Sequence, residues 1–479
     1  MSILNQRCNQ YLKITGHTSY TFAKSTGLDV TKVHRLVNGS QLPSFDFLRT
    51  FCDSLRINET ERRELFELYE EEVTGHAIYQ NRRYIAQMIS NLAVGESLPL
   101  PFPASFEDRK DKHQAHTLLC DVLEEVFLQS GSGSEIYCNF PVDFPFPFFN
   151  LLLHLYQKRP HQEKITLHHL ITFSSNPAAQ TDSNCNLKIL RQIFPLISSG
   201  CEEYIPYYYY THASASDFFQ IPWPYYLVTD RAALLLSSDS SCSILHREPE
   251  KVQWYRMEMK RLLQTAMPLI SRSTSAAESL TLYSRHSRPC NPIFGYLAYQ
   301  PCVMSCMSSD HLAKSLSTIN PPAGLLKILP SSGLCLPATK APSYFSRDGL
   351  LSFWKTGKLS GQLAGYFPPF SPEERRTALL NFVQKNNEKE ESSRMITLDI
   401  PFPSNLYIEL LQNHCLLICM FEKGYHLRFI LLDESSIYDA FTDFFQYLGT
   451  GENSLSVSET NRFILNLLEN SETGGKNYV

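Results

Sequence analysis

The sequence predicts a multidomain chain, with an all-α bundle at its N-terminus and a large α/β or α+β region behind it. Three observations predict this. Apolar residues at helical spacing, punctuated by capping residues and glycines, run from residue 3 to about residue 72. Residues 94–112, VGESLPLPFPASFEDRKDK, then bring three prolines at alternate positions and a charge cluster, the composition of a linker. Beyond it, short strand-like apolar runs alternate with helical ones, the pattern of a sheet covered by helices.

Residues 3–15 read as a first helix, with Ile3, Leu4, Cys8 and Leu12 on one face. Thr18 or Ser19 caps a second, which runs to about Thr26. Gly27 supplies the turn, where a side chain would crowd or a positive φ is needed. Asp29 caps a third helix and Gly39 ends it. Ser44 caps a fourth, holding Phe47, Leu48, Phe51 and Leu55. Asn58 and Glu61 form a capping-box pattern ahead of a fifth, with Leu65, Leu68 and Tyr69. The expected first domain is residues 1–75. Residues 76–112 would hold a connector or dimer helix, to about Leu92, and the Pro-rich linker.

After the linker a helix fits residues 113–129, followed by SGSGS and a strand at Glu135–Cys138. Helices fit Phe148–Gln157 and Asn186–Ile197, and Ile165–Phe173 suits a buried strand. A further helix at about 248–267 puts Val252, Tyr255, Met259 and Leu262 on one face, and the Ser/Ala-rich residues 271–279 end this module. Residues 225–263 and 406–448 echo each other: strand, polar turn (near Asp230 and Asn413), apolar strand, turn, strand, then an acidic helix start near Glu248 and Asp433. The echo predicts two similar α/β modules, at 113–270 and 285–470. The alternative is that hairpins followed by helices are simply common.

With 479 residues, 43% hydrophobic and 12% aromatic, the chain can bury large cores in two to four domains. A net charge of -5 excludes coating nucleic acid along the whole surface, so any such contact must be local. The first 58 residues are mildly basic, with Arg7, Lys13, Lys24, Lys32, Arg35, Arg49 and Arg56 against Asp29, Asp46 and Asp53. Residues 59–72 turn acidic. Thirteen scattered cysteines read as reduced, buried thiols, and Cys302 and Cys306 lack the spacing of a zinc knuckle. The start, MSILNQRCNQ, lacks a signal peptide's apolar core, and no apolar run is long enough to span a membrane. The expectation is a soluble, cytoplasmic protein with no membrane partner.

Residues 18–44, TSYTFAKSTGLDVTKVHRLVNGSQLPS, carry the one pattern that points to a function. Phe22-Ala23 precede Gly27, Val33 and Leu36 follow at helical spacing, and Asn38-Gly39 and Pro43-Ser44 close the run. That order describes a helix-turn-helix, which places its second helix in the DNA major groove. Residues 18–57 resemble the Cro/C1-type, or XRE-family, helix-turn-helix of bacterial and phage regulators. Phe22-Ala23 stands at the family's Leu-Ala pair, and Gly27 and Leu28 at its turn. Val33 and Leu36 match its buried positions, and Asn38-Gly39 and Pro43-Ser44 its exit. Val37 stands where the family often has Glu, and Ser19 near where it has Gln. The resemblance is confined to about residues 3–72.

The resemblance implies contact positions. Val30, Thr31, Lys32 and Arg35 would face the major groove. There a methyl can touch thymine and an arginine can fork onto guanine. Ser19, Lys32 and Asn38 would contact phosphates, which position without specifying. The alternative is a bundle used only for protein contact.

Other candidates carry less. His168-His169 should alternate faces of a strand, one in the core and one outside, and lack evident metal partners. Tyr207–Tyr210 would line a pocket or form a strand half buried on both faces. GSGS at 131–134 lacks the Gly-Lys-Ser/Thr ending of a phosphate loop. Ser371-Pro372-Glu373-Glu374 reads as a helix start. No nucleophile elbow, metalloprotease or deaminase motif appears.

The sequence therefore predicts a sequence-specific transcriptional regulator, not an enzyme, with a sensing or oligomerising region behind the linker. Its expected partners are double-stranded DNA, a second copy of itself as a homodimer, and a small-molecule or peptide effector. No cofactor and no metal is expected. The rival reading makes the C-terminal region an enzyme tethered to DNA or to a partner by the bundle.

Overall fold

The computed structural model describes residues 1–93, 114–129, 133–141, 148–158, 165–175, 184–198, 204–211, 223–272, 293–306, 342–360, 368–388, 392–411, 414–421 and 427–472. The Pro-rich linker and the turn at Asn413 lie outside them. The chain divides into two compact units, Met1–Arg83 and Tyr84–Val479. It is a multidomain α plus α/β protein: helices alone in the first unit, two mixed sheets with helices in the second. No helix among the described residues is long and apolar enough to cross a membrane.

The first unit contains α1 (Ile3–Ile14), α2 (Ser19–Thr26), α3 (Val30–Asn38), α4 (Phe45–Leu55) and α5 (Glu59–Thr74). Leu4, Cys8, Phe22, Val33, Leu36 and Phe51 are all buried in its one core. The face expected for α1 is rotated: Ile3 is 62% exposed, and Asn5 takes the inward place. The Asn5 side chain is satisfied there, donating from Nδ2 to the Leu36 carbonyl at 2.8 Å. A buried amide costs little when so paired. Helix α6 (His76–Ala93) begins in the first unit, and its later residues Ile85, Met88 and Ile89 join the core of the second.

The second unit continues with α7 (Gln114–Gln129), β1 (Ser134–Cys138), α8 (Phe148–Lys158), β2 (Ile165–Ser174), α9 (Cys185–Ser198) and β3 (Tyr204–Thr211). A meander follows, β4 (Tyr225–Val228), β5 (Ala233–Leu236) and β6 (Ser243–His246), then α10 (Pro249–Leu263). Two short strands come next, β7 (Met267–Pro268) and β8 (Ser271–Arg272). After β9 (Ile293–Ala298) and β10 (Pro342–Ser346) come α11 (Arg347–Thr356), α12 (Pro372–Asn387) and β11 (Ser392–Ile396). A second meander, β12 (Leu406–Leu411), β13 (Cys415–Phe421) and β14 (Leu427–Leu432), leads into α13 (Ser435–Leu448) and α14 (Val457–Glu472).

Six strands of each sheet share one plan; the seventh does not, since β7 edges the parallel trio of the first sheet and β8 the meander of the second. The first sheet runs β6-β5-β4-β1-β2-β3-β7, the second β8-β14-β13-β12-β9-β10-β11. In each, an antiparallel meander joins antiparallel to the first strand of a parallel trio. Each meander is followed by a helix with a glutamate at its N-cap, Glu248 for α10 and Glu434 for α13. The second cap therefore falls one residue beyond Asp433. On the first sheet α8 and α9 lie on the Ile136 face and α10 on the Tyr137 face. On the second, α11 and α12 lie on the Phe345 face and α13 on the Tyr344 face. Crossover helices and the closing helix thus take opposite faces in both sheets.

The chain changes sheet at Leu269-Ile270: β7 edges the first sheet, and β8, two residues later, edges the second. A single core joins the α9 side of the first sheet to the α13 side of the second. At that seam the buried Asn186 holds the C-terminal end of β2, pairing with the Ser174 amide and carbonyl at 2.9 and 3.0 Å. Its Nδ2 also reaches Glu434 Oε1 at 3.2 Å.

Candidate nucleic-acid interface

The local fold of residues 18–44 follows from its caps. Thr18, not Ser19, caps α2: its hydroxyl accepts from the Thr21 amide, and the Thr21 hydroxyl accepts from the Thr18 amide. Gly27 ends α2 at φ +76, a region that L side chains rarely enter. Asp29 then caps α3, accepting from the Thr31 and Lys32 amides at 2.7 and 3.0 Å. These bonds, the Lys32 amide first, hold the Asp29 carboxyl below its ordinary range. Gly39 ends α3 at φ +70.

Val33, Leu36 and Val37 form the buried stripe of α3. Val37 is thus a core residue, which explains an apolar side chain where the resembling family often has Glu. Opposite that stripe, 3.6-residue spacing centres the outer face on Thr31, His34, Arg35 and Asn38, all exposed. Val30, 40% exposed, and Lys32 lie on its two margins. Ser19 is half-buried at the start of α2.

Several of these side chains are oriented. Arg35 Nη1 donates to Gln41 Oε1 at 2.8 Å. Asn38 Nδ2 lies 2.9 Å from His34 Nε2. Lys32 Nζ stands 5.9 Å from the centroid of the Phe47 ring, a cation–π contact. Among the described residues no carboxylate lies within ion-pair distance of Lys24, Lys32 or Arg35. By contrast Arg7 pairs with Glu64 at 2.9 Å and Arg62 with Asp53. The unpaired cations keep their charge available for an anionic partner.

His34, Gln41 and Tyr20 were missed by the sequence reading. His34 lies four residues after Val30 and four before Asn38, so the spacing could have found it. Tyr20 is 62% exposed beside Ser19. Gln41 lies past the helix end, where periodicity gives no signal.

His169 is buried, with Nδ1 2.8 Å from Tyr204 Oη and Nε2 2.9 Å from the Phe140 carbonyl. His168 takes the other face and stacks on Tyr137 at 4.9 Å. Beside it, Glu135 Oε2 accepts from Tyr137 Oη, Arg256 Nη2 and Lys260 Nζ at 2.8, 2.9 and 3.1 Å. Burial opposes ionisation of Glu135, but these donors hold its carboxyl below the usual range. Tyr208 is buried, whereas Tyr209 and Tyr210 are each 39% exposed. Cys8, Cys52, Cys138 and Cys419 are buried free thiols, but Cys242 is exposed. Ser371 and Glu374 form the reciprocal cap of α12.

No protein-family profile, curated protein or solved structure matches this chain.

Proposed function

We propose that the first unit binds double-stranded DNA through α2 and α3, and that the chain is a sequence-specific transcriptional regulator. One observation carries the reading: α3 buries Val33, Leu36 and Val37 while presenting Thr31, His34, Arg35 and Asn38 to solvent, and Lys24 and Lys32 are exposed as well. A helix whose outer face is polar and cationic, packed behind a turn made by Gly27, has the shape and charge that a major groove accepts. The resemblance to the Cro/C1-type helix-turn-helix supports it. On this reading Arg35 reads a base edge, Thr31 and Val30 contact bases, and Ser19, Lys32 and Asn38 engage phosphates. The second unit would supply sensing of an effector and self-association.

The test is selection of bound duplexes from a random pool by the full chain, with and without cell extract as a source of effector. Enrichment of one motif, lost when Thr31, Arg35 and Asn38 are replaced by alanine, is the expected result. No enrichment in either condition would remove the reading.

A further inference from the structure

Helix α10 has a finished inner side and an unfinished outer one. Inward, Val252 and Met259 are buried, and Met259 packs with Tyr137, Val228 and Ala233. On the flank, Arg256 Nη2 donates to Glu135 at 2.9 Å and its Nη1 lies 2.6 Å from Asp230. These contacts fix the rotation of the helix. Leu262, read from the sequence as inward, is 38% exposed, and Leu263 packs inward instead. What remains outward is Trp254, 54% exposed, and Met257, 55% exposed, one turn apart. Met267, 45% exposed, follows on β7. An exposed tryptophan beside an exposed methionine on an anchored helix marks a contact surface, because burying such side chains is strongly favourable.

The charges around the pair identify the occupant. Glu250 lies one turn before Trp254, and Arg261 one turn after Met257; both are exposed. A second copy of the same helix, laid antiparallel, is complementary to this order. The register that sets Trp254 against Met257 of the second copy also sets Glu250 against Arg261 of that copy. Two-fold symmetry makes each contact occur twice. The thioether meets the indole at the centre, and the ion pairs close the rim. Arg261 already pairs with Glu258 at 2.9 Å, at side-chain exposures of 74% and 37%. So exposed a pair rearranges at little cost, and one guanidinium can serve both carboxylates.

We propose that the protein self-associates as a two-fold dimer through antiparallel pairing of α10, centred on Trp254 and Met257. The dimer does not depend on DNA binding, although two half-sites would require two copies.

Sedimentation velocity on the full chain tests it. The native chain should dimerise. Glu250→Arg sets two cations against each other, Arg261→Glu sets two anions, and each should weaken association by roughly tenfold or more. Mixing the two variants in equal amounts restores opposite charge at both contacts, so the mixture should dimerise again. Trp254→Asp should be monomeric, with an unchanged circular dichroism spectrum. The proposal is overturned if the native chain is monomeric at every concentration, if the variants associate like the native chain, or if the mixture fails to recover.

Discussion

Arg35 Nη1 donates to Gln41 Oε1 across 2.8 Å, so the arginine on the outer face of α3 is held by a residue three positions beyond that helix. The tether orders a long side chain before any partner arrives. Less rotamer freedom is then lost on contact.

The Arg35–Gln41 pair separates two effects. Arg35→Ala should cost roughly 1–3 kcal/mol on the preferred duplex and relax preference at one base pair. Gln41→Ala removes only the tether, so it should weaken binding less and leave the preferred sequence unchanged. Fluorescence anisotropy on the selected site and its single-base variants measures both. Equal weakening by Arg35→Ala on every sequence would make Arg35 a phosphate contact.

Gly27 and Gly39 both have positive φ, but their surroundings differ. A Cβ on Gly27 meets nothing within 4 Å, whereas one on Gly39 would lie 2.7 Å from Asn5 Oδ1. Gly27→Ala should therefore carry only the left-handed penalty of about 1–2 kcal/mol. Gly39→Ala adds a clash with the side chain that ties α1 to α3, and should cost more. Amide hydrogen exchange across α1 and α3 reads the difference. Equal loss of protection in the two variants would show that Asn5 yields freely.

Local signals made the bundle legible. Thr18, Asp29, Ser44 and Asn58 each announce a cap within three residues of the amide they serve, and Gly27 and Gly39 announce the stops. The meanders were legible for the same reason, since their strands are neighbours in sequence as well as in the sheet. Long-range placement was not. Nothing local shows that residues 271–272 belong to the second sheet, that Asn186 meets Glu434, or that Glu135, Asp230 and Arg256 converge. The α1 face was misjudged at Ile3 because hydropathy cannot show that Asn5 finds a carbonyl at Leu36. Of the candidate interface, the helix was legible from its spacing, but Gln41 lies beyond it.

Asn186 is a polar tie within the apolar seam between the sheets. Asn186→Ala would leave the Ser174 amide and carbonyl without these bonds and take a donor from the buried Glu434 carboxylate. A lost buried hydrogen bond costs roughly 1 kcal/mol net, and more where the acceptor is charged. Urea unfolding of the full chain should show a lower midpoint for the transition of the second unit, with hydrogen exchange loosened at β2 and the start of α13. Asn186→Asp should be worse, because it sets a second carboxylate beside Glu434. A midpoint that does not move in either variant would mean that water replaces the amide at no cost.

The buried His169 predicts how stability responds to acid. The Phe140 carbonyl can only accept, so Nε2 carries the hydrogen and Nδ1 accepts from Tyr204 Oη; both ring nitrogens are satisfied in the neutral form. Burial, which disfavours the charged ring, pushes its pKa from 6.5 down to about 4, the bond to the Phe140 carbonyl opposing it. Below pH 6.5 the unfolded chain takes up a proton that the folded chain refuses. The contribution is therefore complete above pH 6.5 and is lost progressively as the pH falls toward 4, a change on the order of 3 kcal/mol. His169→Gln keeps a donor and an acceptor but cannot titrate. Unfolding free energies of the two proteins, compared between pH 7.5 and 4, should converge as the pH falls, the native chain losing the larger share. Parallel curves would show that His169 takes up its proton inside the fold.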